Sequence, residues 1–296
     1  MSLTFVFDIL IATILRGGLY ALMAVGVSLI FGVMNTSNFA HGEFYMFGAY
    51  AAFFAHTMYK LPPIVAIAAG AVVGFVAGAV TERVLYARLR QRSQADWMLN
   101  AFLLSSGLSI VMRNGVQAIF GPRFKGIDAY WTGTVQLIPG VVGIGYDRLA
   151  SFLIAMFAIV GLWLFLGRTR LGRAIRAVSQ DEKGAQLMGI NLSAIFTLTF
   201  AVGCMLAGLA GSSLATMNPA YPSVGIEPGI RAWYVMILAG MGNVGGAIPA
   251  GFMMGLIDTA GYYFLGGGWQ QVLSVAFLVV VLALKPDGLF GSAMRR

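Results

Sequence analysis

Between "LMAVGVSLIF" and "FGAYAAFFA", two strongly apolar stretches, residues 32–48 read "GVMNTSNFAHGEFYMFG". Asn35, Thr36, Ser37, Asn38, His41 and Glu43 bring amide, hydroxyl, imidazole and carboxyl groups together there. If 35–41 is helical, Asn35, Asn38 and His41 recur at i, i+3 and i+6 and share a face. If it is unwound, Ser37 or Asn38 can cap a helix that starts near His41. Either arrangement offers donors to a carboxylate and acceptors to an ammonium group. An interfacial turn with caps and headgroup contacts would use the same residues, and their types alone do not choose between the two.

Charges elsewhere in apolar surroundings are the next chemical signal. Arg16, Arg113 and Asp258 fall inside apolar stretches. A charge at that depth costs at least ~2.5 kcal/mol, so each should face protein or water. Asp258, in "GLIDTAGYY", is the deepest, and an arginine on a neighbouring helix would serve it as well as a place on a pathway. Arg113 can snorkel from the outer end of its helix. Glu227 and Arg231 flank a Pro-Gly turn and are expected outside. None of Arg113, Asp258, Glu227 and Arg231 is expected to touch a substrate.

Catalytic and nucleotide signals are missing. No G-x-x-x-x-G-K-[ST] phosphate loop, H-E-x-x-H or C-x-x-C occurs. The two histidines, His41 and His56, are too few for a histidine metal site, and no metal is expected. Cys204 is the only cysteine, so no intramolecular disulfide can form. Nothing places a nucleophile beside a base at helical spacing. The chain is not expected to be an enzyme; it should move something, or hold something that does.

The elements that carry these residues are membrane helices. Of 296 residues, 59% are hydrophobic and 10% charged, with mean hydropathy +0.83. Soluble domains carry about a quarter charged residues. Apolar segments fall at 9–31, 42–59, 63–81, 98–119, 149–167, 192–215, 231–241, 244–265 and 269–284, which predicts eight to ten spans in a single all-α membrane domain, residues 1–296. Loops 82–97 (Arg83, Arg88, Arg90, Arg92) and 168–190 (Arg168, Arg170, Arg173, Arg176, Lys183), with Lys285, Arg295 and Arg296 in the tail, hold most of the positive charge. The positive-inside rule puts them in the cytoplasm. Segments 120–148 and 216–230 are then external, the first with a short hairpin or irregular cap at "TVQLIPGVVGI". The side of the N-terminus depends on whether 32–48 turns back within the membrane. Gly70, Gly74 and Gly78, like Gly251 and Gly255, form smooth stripes for close helix packing.

Loop 168–190, "RTRLGRAIRAVSQDEKGAQLMGIN" with its flank, holds a loose apolar stripe of Ile175, Val178, Ala185 and Met188. That suits a short amphipathic helix at the cytoplasmic surface. Its arginines can rest on anionic membrane lipid, or the helix can dock into a partner.

These stretches carry a family resemblance. "RAVSQDEKGAQLMGINLSAIFTLTFAVGCMLAGLAG" and "GLYALMAVGVSLIFGVMNTSNFAHGEFYMFGAY" resemble the branched-chain amino acid permeases of ABC importers, of the LivH type. "GIRAWYVMILAGMGNVGGAIPAGFMMGLID" and "LKPDGLFG" extend the match along nearly the whole chain. The resemblance implies an all-helical ABC importer permease, related to the ribose and vitamin B12 permeases, in a bacterial or archaeal cytoplasmic membrane. It implies a second permease of LivM type, two cytoplasmic ATPase subunits that hold the ATP and Mg, and a periplasmic or lipid-tethered binding protein. This chain itself would bind no cofactor. A docking helix over 177–190 would match the family at Ala177, Asp181, Ala185, Gly189 and Ile190. Where many relatives are alanine-rich, residues 183–186 read "KGAQ"; Gly184 costs ~1 kcal/mol of helix relative to Ala, so a bend is expected there.

With the family in view, the pathway is expected at 35–43, with Asn35, Ser37, Asn38, His41 and Glu43 meeting the charged end of a small zwitterion. Phe39, Phe44 and Met46 would meet its aliphatic end. Within the family, a urea or short-amide permease is the nearest alternative. Outside it stand a secondary carrier and a passive channel.

Overall fold

The computed structural model describes residues 3–92, 96–138 and 142–291. The expected tail arginines 295 and 296 lie outside them, as do parts of loops 82–97 and 120–148. Helix α1 (Leu3–Met34) ends where Asn35 turns left-handed, φ 48°, its N–H still donating to the Phe31 carbonyl at 2.9 Å. Asparagine tolerates that conformation better than other residues with a Cβ. After an irregular link, α2 (His41–Phe53) continues into a π-helical turn, Phe54–Met58. Helix α3 (Pro63–Thr81) starts with proline in its first turn, where the missing N–H is harmless. It passes through a second π-helical turn, Glu82–Tyr86, into α4 (Ala87–Arg92). Next come α5 (Trp97–Phe120), strands β1 (Thr134–Ile138) and β2 (Val142–Gly145), and α6 (Tyr146–Arg168). Helices α7 (Arg170–Gln180), α8 (Glu182–Leu187), α9 (Leu192–Ser213), α10 (Ile226–Ala239), α11 (Val244–Leu265) and α12 (Gln270–Leu284) complete the chain.

The fold is the expected all-α bundle. The expected hairpin is there too: β1 and β2 pair antiparallel, Thr134 opposite Gly145, with an irregularity between Gln136 and Ile138. The span count differs. Among the described residues, five helical stretches are long and apolar enough to cross a membrane, and α10 with α11 add a sixth if that pair, bent by 116°, is one span. The prediction of eight to ten counted apolar runs without weighing length and continuity. Segment 42–59 yields a 13-residue helix plus one π turn, and 231–241 belongs to a 14-residue helix. Neither reaches the ~20 residues of a full crossing.

Burial sorts the helices into an inner pair and a lipid-facing set. The spanning windows of α1 and α9 are 83% and 67% buried, against 33%, 22% and 17% for those of α3, α6 and α12. Val72, Val76 and Val80 on α3, and Phe157 and Trp163 on α6, point outward as lipid-facing side chains should. The glycine stripe does what its spacing suggests: a Cβ at Gly74 would meet the Cys204 carbonyl at 2.5 Å, so α3 lies directly on α9. At the bundle end that carries the first basic loop, Glu82, fully buried, joins three elements. It accepts from Arg90 at 2.9 Å and from the Thr197 hydroxyl at 2.5 Å.

At the opposite end, Lys125 and Ala220 pair backbone to backbone, tying segments 120–148 and 216–230 together. The Tyr130 hydroxyl donates to the Ser212 carbonyl at 3.1 Å, capping the C-terminal end of α9. Burial, and then the Asp147 carboxylate, push the Tyr130 phenol above its ordinary value, so it stays protonated as a donor.

Candidate functional site

The polar link between α1 and α2 does turn back into the bundle. Met34 lies beside the first basic loop, its carbonyl accepting from the Trp97 indole N–H at 3.2 Å. Yet His41 packs against Gly26, two turns back along α1. Residues 35–40 are not helical, so Asn35, Asn38 and His41 share no face. Asn35 is exposed, Ser37 half-buried, and Thr36, Asn38, His41 and Glu43 are buried. The expected side-chain cap is absent: Ala40 holds the N-cap position of α2 without a side-chain bond. Asn38 instead folds onto its own backbone, Oδ1 accepting from the Ala40 N–H at 3.1 Å, an Asx turn. The Tyr86 hydroxyl donates to the same oxygen at 3.5 Å, while Nδ2 has no partner.

Glu43 accepts from the Ser109 hydroxyl on α5 at 2.7 Å, and its second oxygen is unpartnered. Arg113, one turn along from Ser109, is near enough to act on the Glu43 charge. It is half-buried on α5. Phe39 stacks on Trp233 of α10 at 4.4 Å and meets Phe102 edge-on at 5.0 Å. Phe44 and Met46, expected along a pathway, are fully buried. The residue between them, Tyr45, lines the cavity described next.

That cavity occupies about 760 Å³ at the end of the bundle where the 214–225 connection meets the start of α6. Leu15, Arg16, Leu19, Tyr20 and Met23 present one face of α1 to it. The 214–225 connection, Glu227 and Arg231 of α10, Tyr262 of α11 and Arg148 at the start of α6 form the rest. Its floor is where α2 and α10 begin. Gly42 and Gly225 touch so closely that a Cβ on either would collide with the other's carbonyl, and only glycine fits both. Asn218 in the dipping connection donates to the Tyr45 hydroxyl at 3.5 Å. The polar turn thus lies behind the seal under the cavity, with Tyr45 on the cavity side of it.

A charge cluster stands in the cavity wall. Arg231 donates to Asp258 and, at 3.0 Å, to Ser274. Ser274 also donates to Asp258, and Tyr20 donates to its other oxygen at 2.6 Å. Four helices meet there, α1, α10, α11 and α12. Asp258 has the arginine partner that its depth demanded. Arg231 departs from expectation: it is buried, because α10 starts inside the bundle rather than outside it. Glu227 keeps 78% of its side chain exposed and touches Arg231 only at 3.7 Å. Sequence reasoning missed Tyr20, Ser274 and Asn218; a tyrosine or serine in an apolar helix carries no signal until its neighbours are known.

The second basic loop forms two short helices. Thr169 caps α7, its hydroxyl oxygen accepting from the Gly172 N–H at 2.9 Å. Ile175, Val178 and Ala185 are buried as the stripe suggested, but Met188 is 84% exposed and Leu187 89%. The single helix expected over 177–190 breaks at Asp181, extended at φ −149°. The bend expected at Gly184 therefore lies three residues earlier. A Cβ at Gly184 would meet the end of the Asp181 carboxylate at 2.5 Å, a contact that the flexible aspartate can relieve by rotating. Ala177 accepts the Asp181 N–H at 3.0 Å, and the Ile190 N–H closes onto the Ala185 carbonyl at 3.1 Å. Gly189, at φ 82°, ends the turn. The five matched residues thus frame a compact loop with Leu187 and Met188 at its tip.

Residues 9–282 match the family model described as the permease component of the branched-chain amino acid transport system. The chain is 33% identical to the high-affinity branched-chain amino acid transport system permease protein BraD of Pseudomonas aeruginosa, over 93% of this chain and 92% of the relative. It is 30% identical to the LivH permease protein of Escherichia coli, again over 93% and 92%. The ribose import permease protein RbsC of Escherichia coli is 27% identical over 90% of this chain and 81% of its own length. No solved structure matches.

Proposed function

We propose, for a chain that belongs to the branched-chain amino acid transport permease family, a route for its cargo through the bundle. The chain is a multi-pass permease component of the cytoplasmic membrane, not itself an enzyme. Its cargo is a branched-chain amino acid of the leucine, isoleucine and valine kind, as the names of BraD and LivH suggest. A periplasmic or lipid-tethered binding protein releases the amino acid into the outer cavity. The floor made by Gly42, Gly225 and Tyr45 then opens, and the cargo passes the polar turn with Asn35, Ser37, Asn38, His41 and Glu43 beside it. Unpartnered polar atoms on Asn38 and Glu43 support this, since groups left unsatisfied in one state are free to act in another. Urea, carrier and channel readings draw no support from the relatives above.

Force enters through the α7–α8 loop. Two cytoplasmic ATPases hold ATP and Mg and grip Leu187 and Met188, and a LivM-type permease completes the pathway. Large apolar side chains so fully exposed at a loop tip suit a partner's groove. No cofactor is held by this chain in that scheme.

The observation that carries the reading is a cavity whose lining reaches the first turns of α2 and α10, where Gly42 and Gly225 meet with no room for a Cβ. The test is reconstitution of the four-subunit assembly in vesicles with the binding protein. Leucine uptake should require ATP, and a chain carrying Leu187→Asp and Met188→Asp should insert normally yet take up leucine about tenfold more slowly or worse. Accumulation by this chain alone, or unchanged uptake by the doubly substituted chain, would refute it.

A further inference from the structure

Three of the four buried or half-buried arginines in the bundle helices can be compared. Arg90 is held by Glu82, and Arg231 by Asp258 and Ser274. Arg16 is different. It sits mid-helix in α1, half-buried, with its Nη1 shielded from solvent and without a hydrogen-bond partner. Asp258, the acid nearby, already accepts from Arg231, Ser274 and Tyr20. Its guanidinium carbon rests 5.4 Å from the centre of the Tyr262 ring, which fixes the fork's direction. A charged group kept in an apolar helix is costly, and a shielded N–H without an acceptor adds to that cost. Both penalties fall if an anion fills the cavity that Arg16 lines.

We propose that Arg16 is the carboxylate contact of a transit site for the zwitterionic cargo in the outer cavity, with Glu227 toward the ammonium group and Leu19 and Met23 along the aliphatic side chain. The proposal rests on the function given above. The planar guanidinium matches a carboxylate with two parallel N–H donors. Glu227 is exposed and only loosely drawn to Arg231, so its oxygens are available. Leu19 and Met23 recur at i and i+4 and line the cavity on the same side of α1 as Arg16. A volume of about 760 Å³ lies within the ~300–1,000 Å³ usual for small-molecule sites. Arg148, exposed at the rim, adds positive charge that favours entry of the carboxylate end.

The test is arginine modification by phenylglyoxal on the assembled transporter in vesicles, read peptide by peptide by mass spectrometry. Leucine and isocaproate, which carry the carboxylate, should protect Arg16; leucinamide and inorganic phosphate should not. In the same vesicles Arg16→Gln should slow leucine uptake about tenfold or more, with partial recovery in Arg16→Lys. Equal labelling with and without leucine, or equal protection by phosphate, overturns the site. Failure of the unsubstituted assembly to take up leucine counts against the proposed function instead, and the protection pattern still decides the site.

Discussion

The polar turn at 35–43 and the charge cluster of the outer cavity are built from similar groups by opposite routes. The turn draws its asparagines, histidine and glutamate from one short stretch, and much of it is unsatisfied: Asn38, His41, Glu43 and Thr36 each have a buried atom without a full partner. The cluster gathers Tyr20, Arg231, Asp258 and Ser274 from four helices, and Asp258 uses both oxygens. The satisfied cluster stiffens the wall, because a closed buried network fixes one geometry. The unsatisfied turn has alternative arrangements within reach, as a gate requires.

That contrast can be broken experimentally. The largest effect should come from Asp258→Ala, which strands Arg231 without its anion in a buried place. A loss of about 3–5 kcal/mol is expected, seen as poor yield and a sharply lower Tm in detergent; an unchanged Tm would show that the cluster does not brace the wall. A smaller effect is expected from Ser109→Ala, which removes one hydrogen bond to Glu43. It should cost about 1–2 kcal/mol in the same assay. If it costs as much as Asp258→Ala, the turn is as rigid as the cluster and the contrast fails.

How much was legible in the sequence follows the same division. Helix limits over 63–81, 98–119 and 244–265 came from apolar runs, because length and hydropathy are local properties. The polar turn announced itself for the same reason, and its re-entry was one of the geometries its residues allowed. What no local pattern carries is company. Arg231 looked external because "EPG" reads as a turn, whereas it is the first turn of α10, which starts inside the bundle where Gly42 packs on Gly225. Phe44 and Met46 were placed on the pathway by apolarity, yet helix phase turns Tyr45 to the cavity. Asp181 breaks the helix of the second basic loop, three residues before the Gly184 to which the sequence drew attention.

The central claim is that the outer cavity and the cytoplasmic mouth of the polar turn lie on opposite sides of one seal. Cysteine accessibility tests it most directly, since the natural Cys204 is buried and silent. Met217→Cys, in the cavity wall, should react with a membrane-impermeant maleimide added outside right-side-out vesicles. Asn35→Cys, exposed at the end of α1, should react only in inverted ones. Labelling of Asn35→Cys from the outside in the resting transporter, or of Met217→Cys from the inside, would contradict the account.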